Sequence, residues 1–158
     1  MKRLLSPRLL TLLAVLLLGG IAQAGPVYGT VSGIATEEPT ADPNVLAATI
    51  TGAGHLSGTG RSAVLATHSI DTRTLAFTDG RLAIVSEKGT LFATYAGQFV
   101  PTATPGLFAF DAPIVIIGGT GKFAGATGSG SLTGHVDATT QPEHFTALID
   151  ARIRLPRD

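Results

Sequence analysis

The chain has no cysteine among its 158 residues. That excludes disulfides, thiol chemistry and cysteine-based metal sites, so stability must come from a packed core and strand pairing. A basic surplus is missing as well. Eleven Lys and Arg stand against eleven Asp and Glu, which leaves nothing to meet a nucleic-acid backbone. The histidines lack the spacing of a convergent ligand set, and neither a metal nor a cofactor is expected. No hydrolase elbow of the form G-x-S-x-G occurs, because neither Ser129 nor Ser131 has a glycine two residues to each side. Helical periodicity is absent too, and apolar runs are short.

The longest such run, Leu9 to Leu18, follows Lys2, Arg3 and Arg8 and precedes Ala22-Gln-Ala24. A basic start, a short apolar run and a small-x-small end read as a secretory leader over 1–24, cleaved after Ala24. The run falls well short of the roughly 20 residues of a membrane span; an uncleaved anchor is the alternative. Losing 24 of 158 residues leaves 134, enough for one domain with a core. Eight basic and eleven acidic residues then remain, a net charge of −3. The expected product is exported, periplasmic or extracellular, with no membrane span after cleavage.

Ile114-Val-Ile-Ile-Gly-Gly-Thr-Gly-Lys-Phe-Ala-Gly-Ala-Thr-Gly-Ser-Gly130 organises the rest. Gly119-Thr-Gly121-Lys-Phe-Ala124 satisfies the dinucleotide pattern G-x-G-x-x-G/A after a strand. That pattern works only when the turn opens a helix. Gly125, Gly128, Gly130 and Gly134 follow instead, each costing about 1 kcal/mol in a helix relative to alanine. A phosphate loop fails as well, since Phe123 follows Lys122 where Ser or Thr is needed and Ile116 replaces the first glycine. The stretch therefore reads as a strand-to-strand turn in which Gly118, Gly119 and Gly121 reverse the chain and Phe123 anchors it.

From Thr127 to Asp137, polar residues alternate with Gly128, Gly130, Leu132, Gly134 and Val136, the period of a half-buried strand. The same alternation runs through Leu46–Leu56, Val64–Ile70, Leu91–Phe99, Phe108–Ile116 and Phe145–Leu155. Residues 25–44 read as a short N-terminal strand around Val27–Val31, set outside the barrel domain, and an acidic loop with Pro39 and Pro43. The barrel domain is placed at 45–158. Asp79-Gly80 and Lys88-Gly89 give two hairpin signals, and Pro113 implies an edge strand or a bulge. The expected fold is all-β: a single antiparallel barrel of about eight strands, with a β-sandwich as the alternative.

Gly89-Thr-Leu-Phe-Ala-Thr-Tyr-Ala-Gly97, the Gly118–Gly128 turn and the closing Phe145–Ile153 strand resemble bacterial exported proteins of the allene oxide cyclase-like, dirigent-like barrel group. Plant dirigent proteins carry a similar Gly-Gly-Thr-Gly-Lys-Phe turn. The resemblance covers about half of the leaderless chain and implies an eight-strand, calycin-like barrel. It also implies a small hydrophobic or phenolic partner and, in some members, cyclisation or radical coupling in the barrel. The matching residues are those of the turn, so no pocket residue is carried over.

Inward ionisable groups are the best functional candidates, because a polar group in a core must find a partner or work. Parity singles out His68, in a row with Val64, Ala66 and Ile70, and Tyr95, in a row with Leu91, Ala93 and Phe99. These are the candidate catalytic residues; Tyr95, Phe99, Phe108 and Phe110 are the candidate ligand-binding ones. The bland reading has His68 and Tyr95 satisfied inside a filled barrel. His55, His135 and His144 fall on outward rows. The leading expectation is a non-catalytic exported barrel that holds a small apolar ligand or serves as a surface or matrix module. The rivals are an isomerase or coupling guide using His68 and Tyr95, and a purely structural, self-associating module.

Overall fold

The structure, a computed structural model, describes residues 24–156. The expected leader falls outside them, except for Ala24. Eight antiparallel strands close into a barrel in sequence order, β1 pairing with both β2 and β8. They are β1 (Ala24–Pro39), β2 (Val45–Leu56), β3 (Gly60–Asp71), β4 (Ala76–Ser86), β5 (Gly89–Pro101), β6 (Leu107–Gly119), β7 (Thr127–Asp137) and β8 (Glu143–Arg154). Closure removes every sheet edge and decides against the sandwich. Side chains take turns along each strand, so Phe145, Ala147, Ile149, Ala151 and Ile153 of β8 are buried while Thr146, Asp150 and Arg152 are exposed. An eight-stranded barrel is wide enough to be filled by such side chains or to hold one small ligand.

Three expectations need correction. The first strand is neither short nor peripheral. β1 runs for 16 residues through Glu37 and Glu38 to Pro39, and Val27 and Val31 lie in the core. The boundary at residue 45 therefore gives way, because the barrel cannot close without β1. Asp79-Gly80 is not a hairpin turn either. It lies inside β4, where Asp79 takes a φ of +57° and the register shifts against both β3 and β5. An Asp in left-handed geometry followed by glycine suits a bulge as well as a turn. The reversal comes earlier, at Thr72–Leu75, where Asp71 Oδ1 accepts the Arg73 and Thr74 amides at 2.8 and 3.1 Å. Pro113 marks no edge: β6 is paired on both sides. Its missing N–H coincides with a gap in the ladder to β5, whose partners skip from Tyr95↔Ile114 to Gln98↔Asp111.

The two ends of the barrel differ. At one, the glycine turn folds as a 3₁₀ turn, Gly121–Phe123, and presses Phe123 and Ala126 into the core. Thr120 N donates to Thr90 O at 2.8 Å and Lys122 N to Lys88 O at 2.8 Å. Lys88 Nζ donates to Gly58 O at 2.8 Å. Three turns are thereby tied into a lid over Leu56 and Leu91, both buried. At the other end, the β1–β2, β3–β4, β5–β6 and β7–β8 loops surround an opening.

Candidate functional site

That opening leads to an interior well of about 60 Å³. Above it, at the rim, lies a wider space of about 240 Å³. The well is lined by apolar side chains from every strand, among them Phe77, Phe99, Phe110 and Phe145. Its only polar or ionisable side chains are Glu37, His68, Tyr95 and Glu143. At the roughly 10–15 Å³ that one water needs, the well has room for a few waters and no more.

His68 and Tyr95 meet. Tyr95 Oη lies 2.8 Å from His68 Nδ1 and 3.4 Å from the Thr67 carbonyl oxygen. The hydroxyl has one proton and two places to send it. It donates to Nδ1 while Nε2 carries the imidazole proton, or it donates to the carbonyl while Nδ1–H donates back to it. The short contact serves both arrangements. The two residues sit on β3 and β5, with β4 between, and the β4 bulge lets them touch. Gly80 pairs with Tyr95, and a Cβ there would stand 2.7 Å from Tyr95 Cγ and Cδ1. The absent side chain thus gives the tyrosine ring its place beside His68. Phe77 and Phe99 complete the box, with ring centroids 5.2 and 6.0 Å from the imidazole.

Burial lowers the His68 pKa from its ordinary 6.5 to about 4 and pushes the Tyr95 hydroxyl upward. Both groups are therefore neutral near pH 7. The folded histidine value lies below the unfolded one, so on acidification the unfolded chain takes up the proton first. His68 then withdraws stability as pH falls from about 6.5 to about 4, by up to about 3 kcal/mol. Glu37 and Glu143, whose pKa values are raised, act with the opposite sign. A His68→Gln variant isolates the histidine contribution. Its unfolding free energy, measured by denaturant titration across that range, is expected to fall less steeply with acid than that of the parent. Equal slopes would mean that water reaches the ring freely.

Of the phenylalanines singled out in the sequence, Phe99 and Phe110 line the well, whereas Phe108 lies outside it at the rim. Gly118, Gly119, Gly121 and Phe123 belong to the lid, at the far end. Glu37 and Glu143 went unnoticed in the sequence, although parity points to both. Glu143 stands two residues before Phe145, and Glu37 two after Ala35, each in an inward row. Registers place Glu37 opposite Ala48, and Ala48 opposite His68. The three therefore share one cross-strand row on β1, β2 and β3. Among the described residues, no group of three or more His, Asp or Glu could hold a metal ion.

Outside the barrel, Leu65, Phe92, Val115 and Ile117 form an exposed apolar strip. A shallow groove beside Leu65, Arg81, Phe92 and Ile117 measures about 390 Å³, but it is open to solvent and lacks the converging polar groups of the interior. No protein-family model, curated protein or solved structure matches the chain.

Proposed function

We propose that this chain is an exported barrel that binds one small, largely apolar molecule through the open end and does not transform it. The observation that carries this reading is the one-ended well, apolar except for a hydrogen-bonded His–Tyr pair and two carboxyls. Such a site, concave and apolar with a few convergent polar groups, is the usual form of a ligand pocket. Volume limits the occupant. Full-sized ligand pockets run to about 300–1,000 Å³, and the rim space of about 240 Å³ suits a single-ring molecule. The bacterial barrel proteins that the Gly118–Gly128 turn resembles are consistent with a phenolic or hydrophobic guest.

The non-catalytic reading is supported by the state of the pair, two buried groups hydrogen-bonded to each other. A histidine held near pKa 4 is a weak base at neutral pH, where proton transfer favours a group titrating close to the working pH. A second reading, an isomerase or coupling guide, is favoured by Glu143, an acid with a raised pKa on the wall of the well. The first experiment is calorimetric titration of the full chain with 2-phenylethanol, followed by mass spectrometry of the recovered probe and of any molecule that copurifies. One unaltered molecule bound per chain is the expected result. A chain that copurifies empty and ignores both 2-phenylethanol and apolar dyes contradicts ligand binding. Chemical conversion of the bound molecule would favour the second reading.

A further inference from the structure

Two carboxyls stand at the neck between the well and the rim, and among the described residues no cation lines either space. Glu37 and Glu143 line both spaces. Glu143 pairs with Ala35 across β8 and β1, and Glu37 lies two residues further along β1, so the two are diagonal neighbours on one inner face. In a sheet that relation brings side chains within about 7–8 Å of each other. Glu143 is only 8% exposed. Among the described residues the one ion pair joins Arg73 to Asp71, and neither Lys nor Arg lines the well or the rim. Burial lifts both carboxyls above their usual range, and the nearby charges of Glu37 and Asp137 lift Glu143 further. His68, neutral near pH 7, does not supply the missing charge.

A carboxylate held partly out of water without a counter-charge is disfavoured, and a cation placed between two of them relieves both. A divalent metal ion is a poor fit, because two side chains leave most of its oxygen shell unfilled. The surroundings favour an organic cation instead. Leu46, Leu75, Phe99 and Phe108 face the rim directly above the neck. The phenylalanines can pack against an aromatic ring, and the leucines cover the rest of an apolar body. Leu75 is held over the rim by a left-handed backbone, φ +60°, and its amide donates to Asp71 O at 2.7 Å.

We infer that the neck is an amine site: a small arylalkyl primary ammonium sits with its nitrogen between Glu37 and Glu143 and its ring against Phe99 and Phe108. This deepens the ligand-binding reading and rests on it. The test is calorimetric titration of the full chain at neutral pH with 2-phenylethylamine, 2-phenylethanol and phenylacetate, which share a ring and spacer and differ in charge. The amine is expected to bind at least about tenfold more tightly than the alcohol, the advantage of a charged hydrogen bond over a neutral one, and phenylacetate most weakly. In Glu143→Gln the amine's advantage over the alcohol should disappear, and Glu37→Gln should reduce it. Should either variant fail to fold, the order of the three probes on the unaltered chain still decides. Equal or tighter binding of the alcohol overturns the amine site and leaves the apolar-ligand reading standing. Retention of the full advantage in Glu143→Gln places the ammonium elsewhere and also overturns it. Binding of none of the three overturns both readings.

Discussion

Phe77→Ala is expected to lower the free energy of unfolding by about 3–5 kcal/mol, the range for truncating a buried phenylalanine. Phe77 is 1% exposed and stands at the centre of the aromatic group. Its ring centroid lies 4.8 Å from Phe99, 5.2 Å from His68, 6.0 Å from Tyr95 and 6.4 Å from Phe110. Such tilted and edge-on pairs add to the area that the ring removes from water. Opposite it in β5 stands Gly97, where a Cβ would come 2.6 Å from Phe77 Cζ. The ring therefore fills room left by a glycine, which has no side chain to move into the vacancy. The truncated variant should gain what it loses in packing as space: the well of about 60 Å³ becomes large enough to take a benzene-sized guest, as dry cavities of about 150 Å³ do. Urea denaturation measures the loss, and added benzene should recover part of it. A loss below about 1 kcal/mol would place Phe77 outside the packed interior.

Gly121→Val should be comparably damaging, for reasons of backbone rather than packing. Gly121 has a φ of +58°, which costs a residue with a side chain about 1–2 kcal/mol. A Cβ there would also lie 2.6 Å from the Lys88 carbonyl oxygen and 3.0 Å from Gly89 Cα. That carbonyl already accepts the Lys122 amide at 2.8 Å, so it has no freedom to withdraw, and forced overpacking adds about 1–3 kcal/mol. Gly125 provides the comparison. Its φ is +67°, but the atoms nearest an added Cβ all belong to the Pro156 side chain, Cγ at 3.0 Å, and none to backbone. Gly125→Ala should therefore show little beyond the conformational cost. Thermal unfolding ranks the two. A Gly125→Ala loss as large as that of Gly121→Val would mean that the lid contacts contribute nothing. Because the lid is at the far end of the barrel, Gly121→Val should leave binding at the open end unchanged in whatever fraction folds.

The alternation of side chains made most of this barrel legible. A strand with one face toward a core cannot slip by one residue without turning every side chain over, so the inward rows of β3, β5 and β8 were visible in the sequence. The same rule brought His68 and Tyr95 to the interior, but it could not say that they touch. That depends on the β4 bulge, and an Asp-Gly pair signals a turn and a bulge alike. β1 was undervalued because Gly29, Gly33 and Pro39 weaken its propensity, whereas the pairing on both sides that secures it is tertiary. The two glutamates have loop-like sequence surroundings. Glu37 sits in a run with Glu38 and Pro39 that looks like solvated loop, and Glu143 follows Pro142, yet both occupy inward positions of strands.

The central claim is that the molecule recognises its guest inside the barrel, from the open end. Nuclear magnetic resonance of the full chain, with the aromatic and methyl groups observed as 2-phenylethanol is added, tests that claim most directly. The expected result is a set of saturable shifts at Leu46, Leu75, Phe99 and Phe108 around the open end, with Leu65, Phe92 and Ile117 on the outer wall unmoved. Shifts confined to the outer strip, with the Phe99 and Phe108 signals unchanged at saturation, would contradict it.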